Sequence, residues 1–236
     1  MLRSIIHRIK ARVRSALISI VREAIGIERR GELFNLAEEQ QRLALASSAR
    51  YVSTHMANAR RVQEKFTLLS FGMEQVQLGG LFLEFGVASG DTINCIASRT
   101  SQKVYGFDSF EGLPEDWTGQ LPKGAFKQSH LPNVRANVEL VIGLFDHTIS
   151  DFLRYHPEPV AFIHIDCDLY SSTKCVFENL GDRIRSGTII VFDEYLNYSG
   201  WQKGERKAFY EFLEAQGLTH VYIGYTDSQQ VAVKIN

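Results

Sequence analysis

Proline is absent from the first 113 residues, and the three cysteines, Cys95, Cys167 and Cys175, form neither a CxxC pair nor an even set. That spacing argues against a disulfide framework, and against a ligand or nucleophile role for each cysteine. The cysteines read instead as small core residues in a reduced, intracellular, cytoplasmic setting. Net charge is nearly absent too, at −1 for 236 residues, so nothing suggests nucleic acid as a partner, since that affinity rests on clustered Lys and Arg. There is no internal repeat and no low-complexity tract. The motif GxGxxG, which receives the pyrophosphate of a dinucleotide, does not occur after any β-rich run, which argues against an NAD-dependent oxidoreductase.

Acids are missing from residues 1–22, where Arg3, Arg8, Lys10, Arg12, Arg14 and Arg22 are basic. Leu2, Ile5, Ile9, Val13, Leu17, Ile20 and Ala24 recur at steps of three or four, the period of one helical face. Residues 1–30 therefore read as a basic amphipathic helix. Interrupting charges exclude a transmembrane span, and the lack of an apolar h-region excludes a secretory signal. Two readings stay open: a helix lying on a membrane surface or partner, and a helix packed on the rest of the chain or at a homo-oligomer interface. An organelle transit peptide is a third. Residues 31–78 have few helix breakers and read as a helical cap. Leu33, Leu36, Leu43 and Leu45 mark one helix, and Val62, Phe66, Leu69 and Met73 mark another near Ala57–Val76.

From Gly79 onward the texture changes. GLFLEFGV (80–87), KVYGFDSF (103–110), NVELVIGLF (137–145), PVAFIHID (159–166) and GTIIVFDEY (187–195) are short, nearly continuous apolar runs. Strands buried on both faces of a parallel sheet have that composition. Helix-compatible stretches lie between them, so the pattern is βαβαβ. After KGERKAFYEFLEAQ come HVYIGY (220–225) and QQVAVKIN (229–236), separated by three residues, which forces an antiparallel hairpin. The expected fold over 79–236 is a Rossmann-like, doubly wound, mostly parallel sheet of seven strands with a C-terminal hairpin, preceded by a helical extension.

In such a sheet ligands bind beyond the carboxyl ends of the strands. The first run ends in Glu84-Phe-Gly86-Val-Ala-Ser89-Gly90-Asp91, where glycines permit a sharp turn and close approach to a ligand and the next helix offers free N–H groups. Such a turn also arises simply to pack a helix on a strand. Asp108 ends the second run, where an acid suits ribose hydroxyls; its competing role is to cap a turn. Asp166 and Asp168 end the fourth run, and Asp193 and Glu194 the fifth. If those strands are neighbours, their ends stand roughly 5 Å apart, and converging carboxylates are relieved by a hard cation with oxygen ligands. Helix capping, open to Asp168 and Ser171, is the alternative.

LEFGVASGDTIN, YGFDSFEGLP, FIHIDCDLYSST and FDEY followed by GWQKGERKAF, in that order, resemble the class I S-adenosylmethionine (SAM) methyltransferases of the macrocin O-methyltransferase type, over residues 75–236. The resemblance implies a SAM-dependent O-methyltransferase acting on a hydroxyl of a small-molecule or glycosylated acceptor, assisted by Mg²⁺. It implies that Glu84, Gly86 and Ser89 line the methionine end of SAM, with Gly90 also binding the cofactor, that Asp108 and Ser109 hold the ribose, and that Asp166, Asp193 and Glu194 bind the metal. Two positions depart from metal-binding members, with Cys167 in place of glycine and Glu194 in place of aspartate. Asp166 and His147 are the candidate proton acceptors. His130 sits in a loop that could face the substrate, and His164 reads as a satisfied core histidine. Tyr195, Tyr198, Trp201 and Lys203 could wall the substrate or pack among themselves, and the loop 111–132 and the N-terminal helices are natural lids. The place after the fourth run lacks the Pro-Pro-aromatic motif of base-methylating enzymes. A second functional reading is a non-catalytic SAM-fold scaffold anchored to a membrane or complex by its first helix.

Overall fold

The computed structural model describes residues 35–117 and 121–236, together with 14, 16–18, 20–21 and 23. The chain divides into two compact units, Met1–Leu43 and Ala44–Asn236. In the first, the described residues between 14 and 23 are helical, with Leu17, Ile18, Ile20 and Val21 exposed. The rest of the basic helix expected over 1–30 lies outside the described residues. Helix α1 (Leu36–His55) starts at Asn35, whose side-chain oxygen accepts from the N–H of Ala37 at 3.1 Å and of Glu38 at 3.4 Å, the bonding of an N-cap. It buries Ala44 and Ser48, while Leu36, Leu43 and Leu45 are exposed. Among the described residues no helix is long and apolar enough to cross a membrane.

The second unit is built on one sheet of eight strands. They are β1 (Arg60–Val62), β2 (Leu81–Phe85), β3 (Val104–Asp108), β4 (Val138–Ile142), β5 (Val160–Ile165), β6 (Ile189–Phe192), β7 (His220–Thr226) and β8 (Val231–Ile235). Their order is β1-β7-β8-β6-β5-β2-β3-β4, and β8 runs antiparallel to both of its neighbours. The five apolar runs and the C-terminal hairpin all stand where the sequence places them. The eighth strand, β1, pairs in parallel with β7 at the sheet edge. It falls where a helix near Ala57–Val76 is expected; that helix, α2 (Lys65–Glu74), starts only at Lys65. Residues 60–74 thus supply an edge strand and one facing helix rather than a cap.

Alternation along the strands sorts the core into two layers. Leu83, Phe85, Ile163, Ile165, Ile190 and Phe192 face α4 (Phe145–Tyr155), α5 (Tyr170–Leu180) and α6 (Glu205–Gln216). Phe82, Phe162, Ile189 and Val191 face α2 and α3 (Asp91–Ala97). The chain winds from β2 through β3 to β4 on one side and returns to β5 and β6 on the other. The switch point between β2 and β5 is where an open parallel sheet leaves a crevice.

Candidate active site

The crevice is a cavity of about 560 Å³ at the carboxyl ends of β2, β3, β5 and β6, within the usual range of small-ligand sites. Gly86, Ser89, Asp108, Ser109, Asp166 and Asp193 all line it. Gly86 has φ +90°, and a Cβ there would stand 1.7 Å from the carbonyl oxygen of Asp166, so only glycine fits the turn. Gly90, expected among the cofactor residues, has φ +85° and ends the loop directly ahead of α3, but it does not line the cavity; it is packed against Pro132 and Val134.

Asp108 holds this loop from the side. One carboxylate oxygen accepts from the backbone N–H of Val87 at 2.8 Å and of Ala88 at 2.9 Å. The other accepts from Phe110 N–H at 2.7 Å. The capping role and the ribose role expected of this residue are compatible, because an ionised carboxylate has about four acceptor sites. Ser109 accepts from Glu111 N–H at 3.2 Å through Oγ, and Ser89 Oγ donates to Asp91 Oδ2 at 2.8 Å.

Glu84 corrects an expectation. It is wholly buried and is not among the residues lining the cavity. It lies opposite His164 across the β2–β5 ladder, 3.6 Å from His164 Nδ1, and accepts from Thr92 Oγ at 2.5 Å. Thr92 does line the cavity, so Glu84 stands one hydroxyl behind it. His164 is in the core as expected, where its Nδ1 is paired electrostatically with Glu84 and, among the described residues, neither ring nitrogen makes a hydrogen bond. Burial works to lower its pKa, and the facing Glu84 carboxylate outweighs this and raises it.

Strands β5 and β6 are neighbours in register, with Ile165 opposite Phe192, so Asp166 and Asp193 emerge side by side. Asp193 N–H donates to Ile165 O at 2.9 Å. Ligand oxygens of Asp166, Asp168 and Glu194 lie within 4.8 Å of one another, a separation that a single ion with oxygen ligands at 2.0–2.6 Å could bridge. Asp193, expected in that set, is turned instead to Lys65, whose Nζ is 3.4 Å from its Oδ2. Asp168, read as a helix cap, takes its place; it has φ +61°, a conformation Asp tolerates better than most residues. Among the described residues, Glu194 Oε2 and Asp193 Oδ1 are buried without a hydrogen-bond partner, so the donor chemistry fits a hard divalent cation.

Burial, with the Asp193 charge second, pushes Asp166 up to about 7 and Asp168 up to about 6. Burial and Glu205 together raise Glu194 well above the usual carboxylate range. Glu205, at the start of α6, is fully buried and accepts from Glu194 N–H at 3.1 Å. Lys65 is opposed by burial and supported by Asp193 and Asp166, with a net upward shift. Neither Glu205 nor Lys65 was marked by the sequence reading. The available signal for Lys65 is a cation in the first turn of a helix, where the dipole disfavours it.

His147 is not brought to the site. It follows the cavity-lining Asp146 by one residue on α4, so the helical turn carries it round to solvent, where its Nε2 lies 3.4 Å from Asp146 Oδ2. His130 is exposed and does not line the cavity. Of the four residues read as a substrate wall, Tyr195 is fully buried and bonds Tyr222 through its hydroxyl at 2.8 Å. Trp201 is buried and donates to Ser47 Oγ at 3.0 Å. Tyr198 packs against Trp117 at 6.0 Å between ring centroids, and Lys203 is exposed. Phe66 at the start of α2, with Leu113, Pro114 and Phe126 from the 111–132 loop, forms the apolar wall instead.

Residues 83–195 match a family described as "Methyltransferase domain". A curated relative from Streptomyces olivaceus, 8-demethyl-8-(2,3-dimethoxy-alpha-L-rhamnosyl)-tetracenomycin-C 4'-O-methyltransferase, is 33% identical over 113 residues, 41% of this chain and 43% of that protein. The chain therefore spans less than half the length of that relative. Among solved structures, the calicheamicin methyltransferase CalS11 superposes with a TM-score of 0.59 at 22% identity, over 72% of this chain and 77% of the other. The O-methyltransferase NovP gives 0.55 at 19%, over 72% and 78%. At these identities the two structures show a shared fold.

Proposed function

We propose that this chain, which carries a methyltransferase domain over residues 83–195, is a SAM-dependent O-methyltransferase acting on a hydroxyl of a sugar-containing or other small natural product. The observation that carries the reading is the meeting, in one cavity, of the Gly86–Gly90 loop tied to Asp108 with the carboxylates of Asp166, Asp168 and Glu194. The relatives named as acting on rhamnosyl and calicheamicin compounds support an acceptor of that class.

The loop and the N-terminus of α3 would receive the cofactor, with Asp108 and Ser109 at the ribose and Gly86 and Ser89 toward the methionine end. Thr92 rather than Glu84 would face that end, with Glu84 fixing the Thr92 hydroxyl. Methyl transfer is an in-line displacement, and alignment of oxygen, carbon and sulfur supplies much of the rate. Asp166, held up to about 7, is suited to accept the hydroxyl proton near neutral pH. His147 is withdrawn from that role by its position. A Mg²⁺ ion, when bound, would be held by Asp166, Asp168 and Glu194 and would lower the pKa of the acceptor hydroxyl.

The apolar wall of Phe66, Leu113, Pro114 and Phe126 would exclude water from the transferring methyl. Against the scaffold reading, a scaffold gains nothing from gathering the carboxylates of Asp166, Asp168, Asp193 and Glu194 in one cavity. Association with a membrane surface, or self-association, would fall to the basic segment of residues 1–30. Titration calorimetry with S-adenosylhomocysteine, with Mg²⁺ and again with EDTA, tests the proposal. Micromolar binding is expected in both. No binding by the folded protein in either would overturn it.

A further inference from the structure

The acidic cluster faces a cation that belongs to the chain itself. Lys65 is the first residue of α2, directly after the N-cap Glu64, at the helix end where the dipole disfavours a cation. Its Nζ nevertheless reaches into the cavity, 3.4 Å from Asp193 Oδ2 and 4.0 Å from Asp166 Oδ2. An ammonium donates hydrogen bonds and cannot ligate a metal. A divalent ion on these same oxygens would stand a few ångströms from it, and two cations that close repel strongly in a pocket of low dielectric. Among the described residues Asp193 Oδ1 is buried and has no hydrogen-bond partner, so Asp193 is held from one side by the lysine.

We propose that Lys65 is the resident counter-ion of this cluster: it occupies Asp193, keeps it out of the ligand set, and makes the site a weak one for divalent cations. The acids at the ends of β5 and β6 are then held together without a metal, and an ion that binds to Asp166, Asp168 and Glu194 must do so against the charge of an ammonium 4.0 Å from Asp166 Oδ2. The inference deepens the reading of this site as a methyl-transfer centre, and it is tested by metal alone.

The experiment is a Mn²⁺ titration of the full chain, followed by calorimetry, for the wild type, Lys65→Met and Lys65→Arg. Lys65→Met is expected to bind Mn²⁺ at least about tenfold more tightly than the wild type, and Lys65→Arg, which keeps the charge, to stay close to it. EDTA is expected to leave the wild-type melting temperature unchanged. The proposal is overturned if Lys65→Met binds no more tightly than the wild type, if Mn²⁺ binds to none of the three, or if EDTA lowers the wild-type melting temperature. Should Lys65→Met not fold, the wild type decides the matter alone: millimolar Mn²⁺ affinity supports the proposal and micromolar affinity overturns it. Binding of S-adenosylhomocysteine is measured on the same samples, so failure of the cofactor reading is seen separately from failure of the metal reading.

Discussion

A Cβ on Gly86 would lie 1.7 Å from the backbone carbonyl oxygen of Asp166. The turn that would receive the cofactor and the strand end that presents the candidate base are therefore in direct backbone contact. That contact has no room to relax, because β2 and β5 are hydrogen-bonded neighbours and Asp166 N–H donates to Phe85 O at 2.9 Å. Gly86→Ala must both adopt φ near +90° and push the two strands apart. A loss of roughly 3 kcal/mol in urea unfolding is expected, with no detectable binding of S-adenosylhomocysteine. Retention of both would show that the loop does not carry the cofactor.

Asp108 satisfies three backbone N–H groups of the loop and its own turn. Asp108→Asn turns an amide donor toward at least one of them, and hydrogen bonds to a charged partner contribute about 1.5–3 kcal/mol each. A stability loss of about 2 kcal/mol is expected, together with at least a tenfold weaker affinity for S-adenosylhomocysteine by calorimetry. Loss of stability with unchanged affinity would assign Asp108 to the loop alone.

The parallel strands were legible because burial on both faces leaves continuous apolar runs such as VAFIHI and IIVF. The acids that follow them were legible because the topology fixes what lies beyond a strand's end. Strand β1 was not, because Arg60-Arg61-Val62 is short, charged and paired at one edge only. The exchange of Asp193 for Asp168 could not be read either: it depends on Lys65, 128 residues from Asp193 in sequence. His147 was misplaced because its distance from a strand end was visible while its phase on α4 was not. Glu84 was misplaced because the pleat turns its carboxylate into the core, toward His164.

Asp166 sets the expected pH dependence of catalysis. Burial and the Asp193 charge raise it to about 7 from 3.8, and the base must be ionised to accept a proton. In the presence of EDTA, kcat/KM should therefore climb as pH rises through about 7 and level off above it. Asp166→Asn should lose on the order of 10²–10⁴-fold in kcat and with it this rising limb. A variant that keeps the limb would move the base elsewhere in the cavity.

His220 provides a pH effect on stability far from the chemistry. Its ring is packed edge-on against Phe209 at 5.0 Å, Tyr210 at 5.7 Å and Tyr222 at 4.7 Å. Burial, with the positive Arg206 second, lowers its pKa to about 4 from 6.5. Below the unfolded value of 6.5 the unfolded chain takes up a proton that the native state still refuses. The stability tied to His220 is thus fully present above that pH and is lost as pH falls toward 4. The ring is only part-buried, so screening keeps the effect to about 1 kcal/mol. His220→Phe keeps the aromatic packing and removes the titration. Urea unfolding at about pH 7.5 and about pH 5 should show a smaller decline for the variant than for the wild type, and equal declines in the two proteins would place the acid sensitivity on other groups.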